Sequence, residues 1–514
     1  MTARDGAADH WFQDHAALEG LASKSVRSGA TAVGARAAQL FVQLGAAMWL
    51  ARILTPGDFG IQAMVLPVAF LMNGITQQAL QSAVMQRDDL RSEDASALFF
   101  AALPINLGLT SAMALLGPVL AWLYREPRVI AVAIIWAGVI FLTTLATIHE
   151  ALLKRQLRFA TVARMQLGAH VASFVVAIVA ATAGAHYWAL LGQVAVMELG
   201  RAGGMWLLVS WRPRWSGRRP TAPAAAMRSY WLGVIGARTA SWVGDQSDRV
   251  TVGALGGASI AGLYDSAKRW AWFAFFELFI PLTDVAVATL SRVRNDAERF
   301  RTYVRQALLP IAAVTMPAAA FMFVEARLVL RVILGDQWLG AALFVRWLCI
   351  ALVGATVIRL MWWVYLATGR TTRQLRWSLV TTPVTLAAVL VGGLGYGAVG
   401  VSAGLAVATL LLAIPSIRNA VHDTPVTLGD CVGVIALPLA AAAIAAGMLM
   451  VLDPWLPVAP AVMALALRLA VFVLLYALGW LALPGGRRAL IGLFAKLGEV
   501  ISTWRGALGR RPTR

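Results

Sequence analysis

The sequence predicts an all-α polytopic integral membrane protein: about 14 transmembrane helices, in two six-helix pseudo-symmetric lobes plus two C-terminal helices. Three observations predict it. Hydrophobic residues make up 60% of the 514, charged ones 13%, and mean hydropathy is +0.72; soluble domains run about 45–50% apolar and about 25% charged. Apolar runs of spanning length recur from end to end. The first half of the pattern returns in the second.

Taken in order, apolar runs bounded by polar turns fall at 31–53, 59–84, 96–123, 129–152, 160–183, 187–211, 229–256, 261–288, 303–324, 341–366, 376–395, 397–417, 431–452 and 459–483. Residues 1–28 are polar and lack an apolar signal core, so they read as a cytoplasmic tail. With that end inside, the inner segments carry 30 Lys and Arg, and the outer loops only Arg52, Arg125, Arg128, Arg327 and Arg331. This asymmetry sets the orientation, with both termini cytoplasmic. It also accounts for most of the +19 net charge, so no nucleic-acid partner is implied. Cys349 and Cys431 lie in apolar context, which suggests neither a disulfide framework nor a zinc site.

At one constant offset Gly34-Ala35-Arg36 meets Gly236-Ala237-Arg238, and Gly60 meets Gly262. Arg155-Gln156-Leu157-Arg158-Phe159 resembles Arg373-Gln374-Leu375-Arg376-Trp377, and Pro104 and Pro310 sit alike in spans 3 and 9. The period is six spans, so the halves share orientation, as in transporters whose lobes rock about a mid-membrane site. The organisation is then a tail (1–28), an N-lobe (29–212), a cytoplasmic linker (213–228), a C-lobe (229–420), spans 13–14 (431–483) and a basic tail (484–514).

Spans 7 and 8 concentrate charge where lipid should be. Arg238, Arg249, Lys268 and Arg269 stand against Asp245, Asp248 and Asp265. A charge at the bilayer centre costs roughly 2.5–3.5 kcal/mol or more, so these side chains face protein, water or a ligand. Structural ion pairing fits, with Asp245–Arg249 and Asp265–Arg269 at i, i+4. So does an electropositive cavity for an anionic head group, because cations exceed acids and Arg36 and Arg359 (span 10) add to the excess. Asp245, Asp248, Asp265 and Glu277 are candidates for coupling to an ion. Two polar stripes mark the N-lobe: Gln39 and Gln43 beside Arg36, and Asn73, Gln77 and Gln81 at i, i+4, i+8. They fit either inter-helix packing or the wall of a glycan cavity. Trp242 and its aromatic neighbours fit sugar stacking or interfacial anchoring. Glu198 and Arg201 read as a local pair, His170 as a hydrogen-bonded core residue, Arg346 as structural, and Arg468 as structural or oligomer-facing. No nucleotide-binding loop, metal-ligand spacing or nucleophile elbow occurs.

Several segments carry a family resemblance: ARILTPGDFG (51–60), ALLKRQLRF (151–159), WRPRW (211–215), DRVTVGALGGASIAGLYDSAKR (248–269), LGDQW (334–338) and LATGR (366–370). In this order and spacing, over about residues 28–420, the chain resembles the Wzx-like polysaccharide transporters of the multidrug/oligosaccharidyl-lipid/polysaccharide (MOP) superfamily. It looks closest to the lipopolysaccharide, colanic-acid and xanthan-type exporters. Where many relatives show Asp-Asn in span 7 this chain has Asp248-Arg249, an added cation. The resemblance implies a non-enzymatic flippase in a Gram-negative inner membrane. It would move a polyprenyl-diphosphate-linked oligosaccharide, an O-antigen or exopolysaccharide precursor, by alternating access. It implies no cofactor beyond a coupling H+ or Na+, and as partners membrane lipids and the polymerase and chain-length/export proteins of the pathway. The cations would meet the diphosphate, mostly in the C-lobe, and the amide stripes the glycan. The alternatives are a membrane-embedded polymerase or ligase acting on lipid-linked glycans, and a small-molecule antiporter of the same superfamily.

Overall fold

The computed structural model describes the backbone at 21–85, 90–156, 158–215, 224–457 and 459–492. Side chains are described for the same residues less 21–33, 35–37, 75–76, 78–79, 82–83, 224–241, 281 and 284. Arg36 and Arg238 therefore lie outside the described side chains, as does part of the first repeat match. The secondary structure described is helical, and the chain forms two compact units, one ending at Trp242 and one beginning at Val243. It is a multi-pass membrane protein. Eight of its helices among the described residues are individually long and apolar enough to cross a bilayer by length and composition.

The first unit contains α1 (Leu21–Ile53), α2 (Pro56–Met85), α3 (Ser92–Tyr124), α4 (Val129–Arg155), α5 (Phe159–Thr182) and α6 (Tyr187–Leu208). The family segment at 51–60 is a helix start. Asp58 accepts from the backbone N–H of Thr55 at 2.9 Å and its hydroxyl at 2.7 Å, while the Asp58 N–H donates back to that hydroxyl. Pro56 at the first helical position loses no bond by lacking an N–H. Ala46 and Leu50 of α1, with Leu54 just past its end, pack on Phe174, Ala177 and Ala181 of α5. The WRPRW segment ties the end of α6 to the start of α3: buried Trp211 donates to Ser92 Oγ at 3.1 Å, and the Arg214 N–H to Ser96 Oγ at 3.2 Å.

The second unit starts within α7 (Ala224–Val293), one continuous assignment that contains a break at Gly257, φ 70° and ψ −175°. Asp248 and Tyr264 meet across it at 2.5 Å. In a straight helix sixteen residues span about 24 Å, so α7 is a hairpin of two arms. Gly257 can turn there because it carries no Cβ. Then come α8 (Ala297–Val324), the short α9 (Ala326–Ile333), a 3-10 turn Asp336–Ala341, α10 (Ala342–Thr368), α11 (Thr371–Val421), α12 (Leu428–Leu452) and α13 (Ala461–Ala482). α11 is a second hairpin, broken at Tyr396 and Gly397, with Trp377 of one arm donating to Ser416 of the other at 3.0 Å. Counting each hairpin as two arms, the described residues contain fourteen long helical segments, in the order the apolar runs predict.

Close approach is built from glycine. The backbones of Gly392 and Gly400 touch across the α11 hairpin, and Gly354 of α10 leaves no room for a Cβ against the Thr409 carbonyl of α11. Small residues let helices meet where no hydrophobic drive exists between them. Gly354→Ala is expected to cost about 1–3 kcal/mol, read as a lower melting temperature of the purified protein. Gly138→Ala, where a Cβ meets nothing within 4 Å, serves as the control, and equal melting of the two would refute the close-approach argument.

The last two helices are pinned to α8. At one end Arg301 donates to Asp430 Oδ2 at 2.5 Å, an acid that also closes a capping box with Thr427. At the other, Arg468 of α13 donates to buried Glu325 at 2.9 Å and to Asp453 at 2.6 Å. Of the two roles open to Arg468, the structural one is thus occupied. The segment near 325–340 is ordered around fully buried Trp338 and an Arg331–Asp336 pair at 2.7 Å. At the α11–α12 turn, Asp423 (φ 57°) receives the guanidinium of Arg373 at 3.3 Å, and its hydrogen bond with His422 holds its carboxyl below the ordinary range.

Candidate functional site

The charged cluster follows from the hairpin's arithmetic. Arg249 and Asp265 each lie eight residues from Gly257, so they come level across the two arms, and Arg249 Nε donates to Asp265 Oδ1 at 2.9 Å. Asp248, nine residues before the turn, and Lys268, eleven after it, meet at 2.6 Å. Asp248 also accepts from Tyr264 Oη, and Lys268 Nζ reaches the Asp245 carbonyl at 3.3 Å. Asp248, Asp265 and Lys268 are buried. Arg249 is nearly so, and its Nη1 donates to Gln246 Oε1 at 2.7 Å. The i, i+4 pair Asp265–Arg269 forms as expected, at 2.9 Å. The expected Asp245–Arg249 pair does not: Arg249 is taken by Asp265, and Asp245 pairs with Arg359 of α10 at 2.9 Å.

The cluster therefore has two layers. In the sealed layer Arg249 pairs with Asp265 and Lys268 with Asp248, which clamps the hairpin, while Asp248 Oδ1 has no hydrogen-bond partner among the described residues. Arg249 and Lys268, expected as contacts for a head group, and Asp248 and Asp265, expected as coupling acids, are thus engaged with protein partners here. Each spends its charge on a protein partner, and an unpaired charge here would carry a desolvation penalty of several kcal/mol. In the open layer Arg269 is 51% exposed, Asp245 48% and Arg359 28%. Asp245 and Arg269 are each twelve residues from the turn, about 18 Å along the arms. Charged side chains this exposed are costly to place against lipid. Arg359 lies over Trp272 and Phe276, 5.6 Å from each ring centroid, and Lys268 over Trp272 at 5.4 Å. The aromatics of span 8 thus support cations. Among the described residues Arg359 makes one hydrogen bond, through Nη2, which leaves Nε and Nη1 as donors.

The other predicted residues are dispersed. Glu277 is half-buried on the second arm of α7. Gln39, Asn73, Gln77 and Gln81 are half-buried in the first unit. Gln43 meets His170 of α5 at 3.3 Å, helix-to-helix glue for both residues. Trp242 donates to the Pro67 carbonyl at 2.5 Å, so its indole N–H is committed to protein. Arg346 is exposed at the start of α10.

The first unit holds a buried network larger than the Glu198–Arg201 pair the sequence suggests. Arg201 donates to Glu198 at 2.5 Å and to Glu150 of α4 at 2.6 Å, and Lys154 also pairs with Glu150, at 2.7 Å. Thr143 donates to Glu198 at 2.8 Å. Beside it, fully buried His149 stacks on Trp206, centroids 4.6 Å apart. Spacing along one helix reveals Glu198–Arg201 and Glu150–Lys154, but not the Glu150–Arg201 bond between helices. Glu150 joins them because α4 is the central helix of its unit.

A family model described as polysaccharide biosynthesis protein matches residues 49–343, more than half of the chain. The chain belongs to that family. The family match covers the α7 hairpin and stops before Arg359, so it contains the whole sealed layer and only part of the open one. The chain is 26% identical over 289 residues to the succinoglycan biosynthesis transport protein ExoT of Rhizobium meliloti, covering 56% of this chain and 58% of that one. It is 20% identical over 379 residues to the lipopolysaccharide biosynthesis protein WzxC of Escherichia coli, covering 71% and 75%. Among solved structures it is similar to the lipid II flippase MurJ in an inward closed conformation, TM-score 0.67 at 13% identity over 88% of this chain and 98% of that one. It is also similar to an inward-facing multidrug resistance transporter of the MOP superfamily, TM-score 0.56 at 15% identity over 75% and 95%. The fold is thus that of the MOP transporters.

Proposed function

We propose that this protein is a flippase that carries a polyprenyl-diphosphate-linked oligosaccharide across the bacterial inner membrane, with both termini in the cytoplasm. The observation that carries the reading is the open layer: two partly exposed guanidiniums within the helical bundle, Arg269 and Arg359, with Arg359 held on two aromatic faces. Guanidinium donors match a diphosphate, since their fork geometry bonds phosphate oxygens in pairs. A family of polysaccharide biosynthesis proteins, with relatives named for succinoglycan transport and lipopolysaccharide biosynthesis, supplies the glycan. Of the anion contacts expected from the sequence, Arg269 and Arg359 are the described ones that remain available, and Arg36 and Arg238 stay within the proposal. Coupling to H+ or Na+, at Asp245 or Glu277, belongs to the same proposal, and flipping indifferent to an imposed gradient would remove it.

In proteoliposomes, leaflet exposure of a lipid-diphosphate glycan is expected to slow about 10- to 100-fold on Arg359→Ala, the worth of a charge-assisted hydrogen bond of about 1.5–3 kcal/mol. A rate equal to wild type would overturn the reading.

A further inference from the structure

We infer that Asp245 is a built-in competitor for the anionic ligand: it occupies Arg359 when the site is empty and is displaced when a diphosphate binds. The inference rests on the proposed function, since it assumes that Arg359 receives the anion.

The observations are these. Asp245 is the open layer's carboxylate, and it takes one donor of Arg359 at 2.9 Å. Among the described residues it has no cation of its own on the hairpin: Arg249, one turn away, is bound to Asp265, and Lys268 spends its charge on Asp248 and reaches only the Asp245 backbone. Asp245 is thus the acid of the cluster whose partner comes from another element, α10, and it is about half exposed. Asp248 and Asp265 are sealed and shared, the latter between Arg249 and Arg269. Freeing either would strand buried charge; freeing Asp245 returns an exposed carboxylate to water, the least costly exchange available.

The chemistry also calls for such a partner. An empty site with Arg359 unmatched, beside an Arg269 that shares Asp265 with Arg249, would hold excess positive charge within a helical bundle of spanning length. Asp245 offsets it. When a diphosphate enters, its oxygens replace the carboxylate on Arg359, and like-charge repulsion drives Asp245 aside. When the ligand leaves, Asp245 recaptures Arg359, so the anion is not retained by a bare cation. Asp245 therefore weakens binding and speeds release. It is a positioning residue acting through Arg359.

The test uses the purified full-length protein and two diphosphate probes, farnesyl diphosphate and inorganic pyrophosphate. Farnesol serves as the uncharged control, and phosphatidylglycerol vesicles separate a bulk-lipid head group from a prenyl diphosphate. Asp245→Asn keeps the shape and removes the charge. It is expected to bind both diphosphates about tenfold tighter than wild type, with farnesol affinity unchanged and flipping in proteoliposomes slower. Asp245→Glu is expected to restore wild-type affinity, which a loss of packing would not do. Arg359→Ala is expected to bind both diphosphates at least about tenfold more weakly. If Arg359→Ala weakens binding while Asp245→Asn leaves it unchanged or weakens it too, the competitor role is overturned and the proposed function stands. If Arg359→Ala binds like wild type, the proposed function fails first. If phosphatidylglycerol shows the Asp245→Asn gain and the diphosphates do not, the site takes a lipid phosphate, and the assignment to a prenyl diphosphate is overturned.

Discussion

Replacing Arg201 by Leu is expected to destabilise the first unit by about 3–5 kcal/mol, the cost of breaking a buried ion pair by removing one partner. Arg201 lies between two buried carboxylates on different helices, Glu198 on its own α6 and Glu150 on α4, at 2.5 and 2.6 Å. Lys154 reaches only Glu150, at 2.7 Å, and the Thr143 hydroxyl reaches only Glu198. Without Arg201, Glu198 keeps a neutral donor alone, the Thr143 hydroxyl. Thermal melting of the purified protein reads the effect. Pairing Arg201→Leu with Glu198→Leu, which removes the stranded charge along with its partner, is expected to return most of the loss, because apolar replacement of a whole buried pair is often neutral. Two results would sink the account: Arg201→Leu melting like wild type, or a double variant no better than the single.

That network marks where the sequence stops being legible. Apolar run lengths give the fourteen long helical segments and their order, because spanning a bilayer forces each helix to be continuous, apolar and about 20 residues long. Local pairs are legible for the same reason of regularity: Asp265–Arg269 and Glu198–Arg201 follow from helical spacing. What spacing within one helix cannot give is a partner on another. Asp245 stands four residues from Arg249, yet pairs with Arg359, 114 positions away. Gln43 stands on a clean polar stripe, yet its amide meets His170 of α5. Part of the cluster was recoverable. The Gly256-Gly257 step announces a turn, and counting outward from it brings Arg249 level with Asp265 and Asp248 near Lys268. A hairpin has one register once its turn is fixed, whereas the packing of α10 against α7 depends on every helix between them.

The second large effect is expected at that register, from Asp248→Ala. Asp248 accepts from Lys268 at 2.6 Å and from Tyr264 at 2.5 Å, and it is the first arm's main hold on the second. Ala would leave a buried ammonium whose remaining hydrogen bond is a 3.3 Å contact to the Asp245 carbonyl; its other support is the Trp272 ring. A cost of about 3–5 kcal/mol is expected, seen as a loss in melting temperature. The double exchange Asp248→Leu/Lys268→Met separates a clamp from a transport role. If the pair only holds the arms together, the double variant melts near wild type and still exposes lipid-diphosphate glycan to the far leaflet of proteoliposomes at close to the wild-type rate, under the same gradient. A sealed pair cannot exchange ions with water while both partners stay buried, so this is the expected outcome. A double variant that is stable yet blind to the gradient would show that Asp248 is uncovered during the cycle and carries the coupling ion, which would overturn its assignment as a clamp.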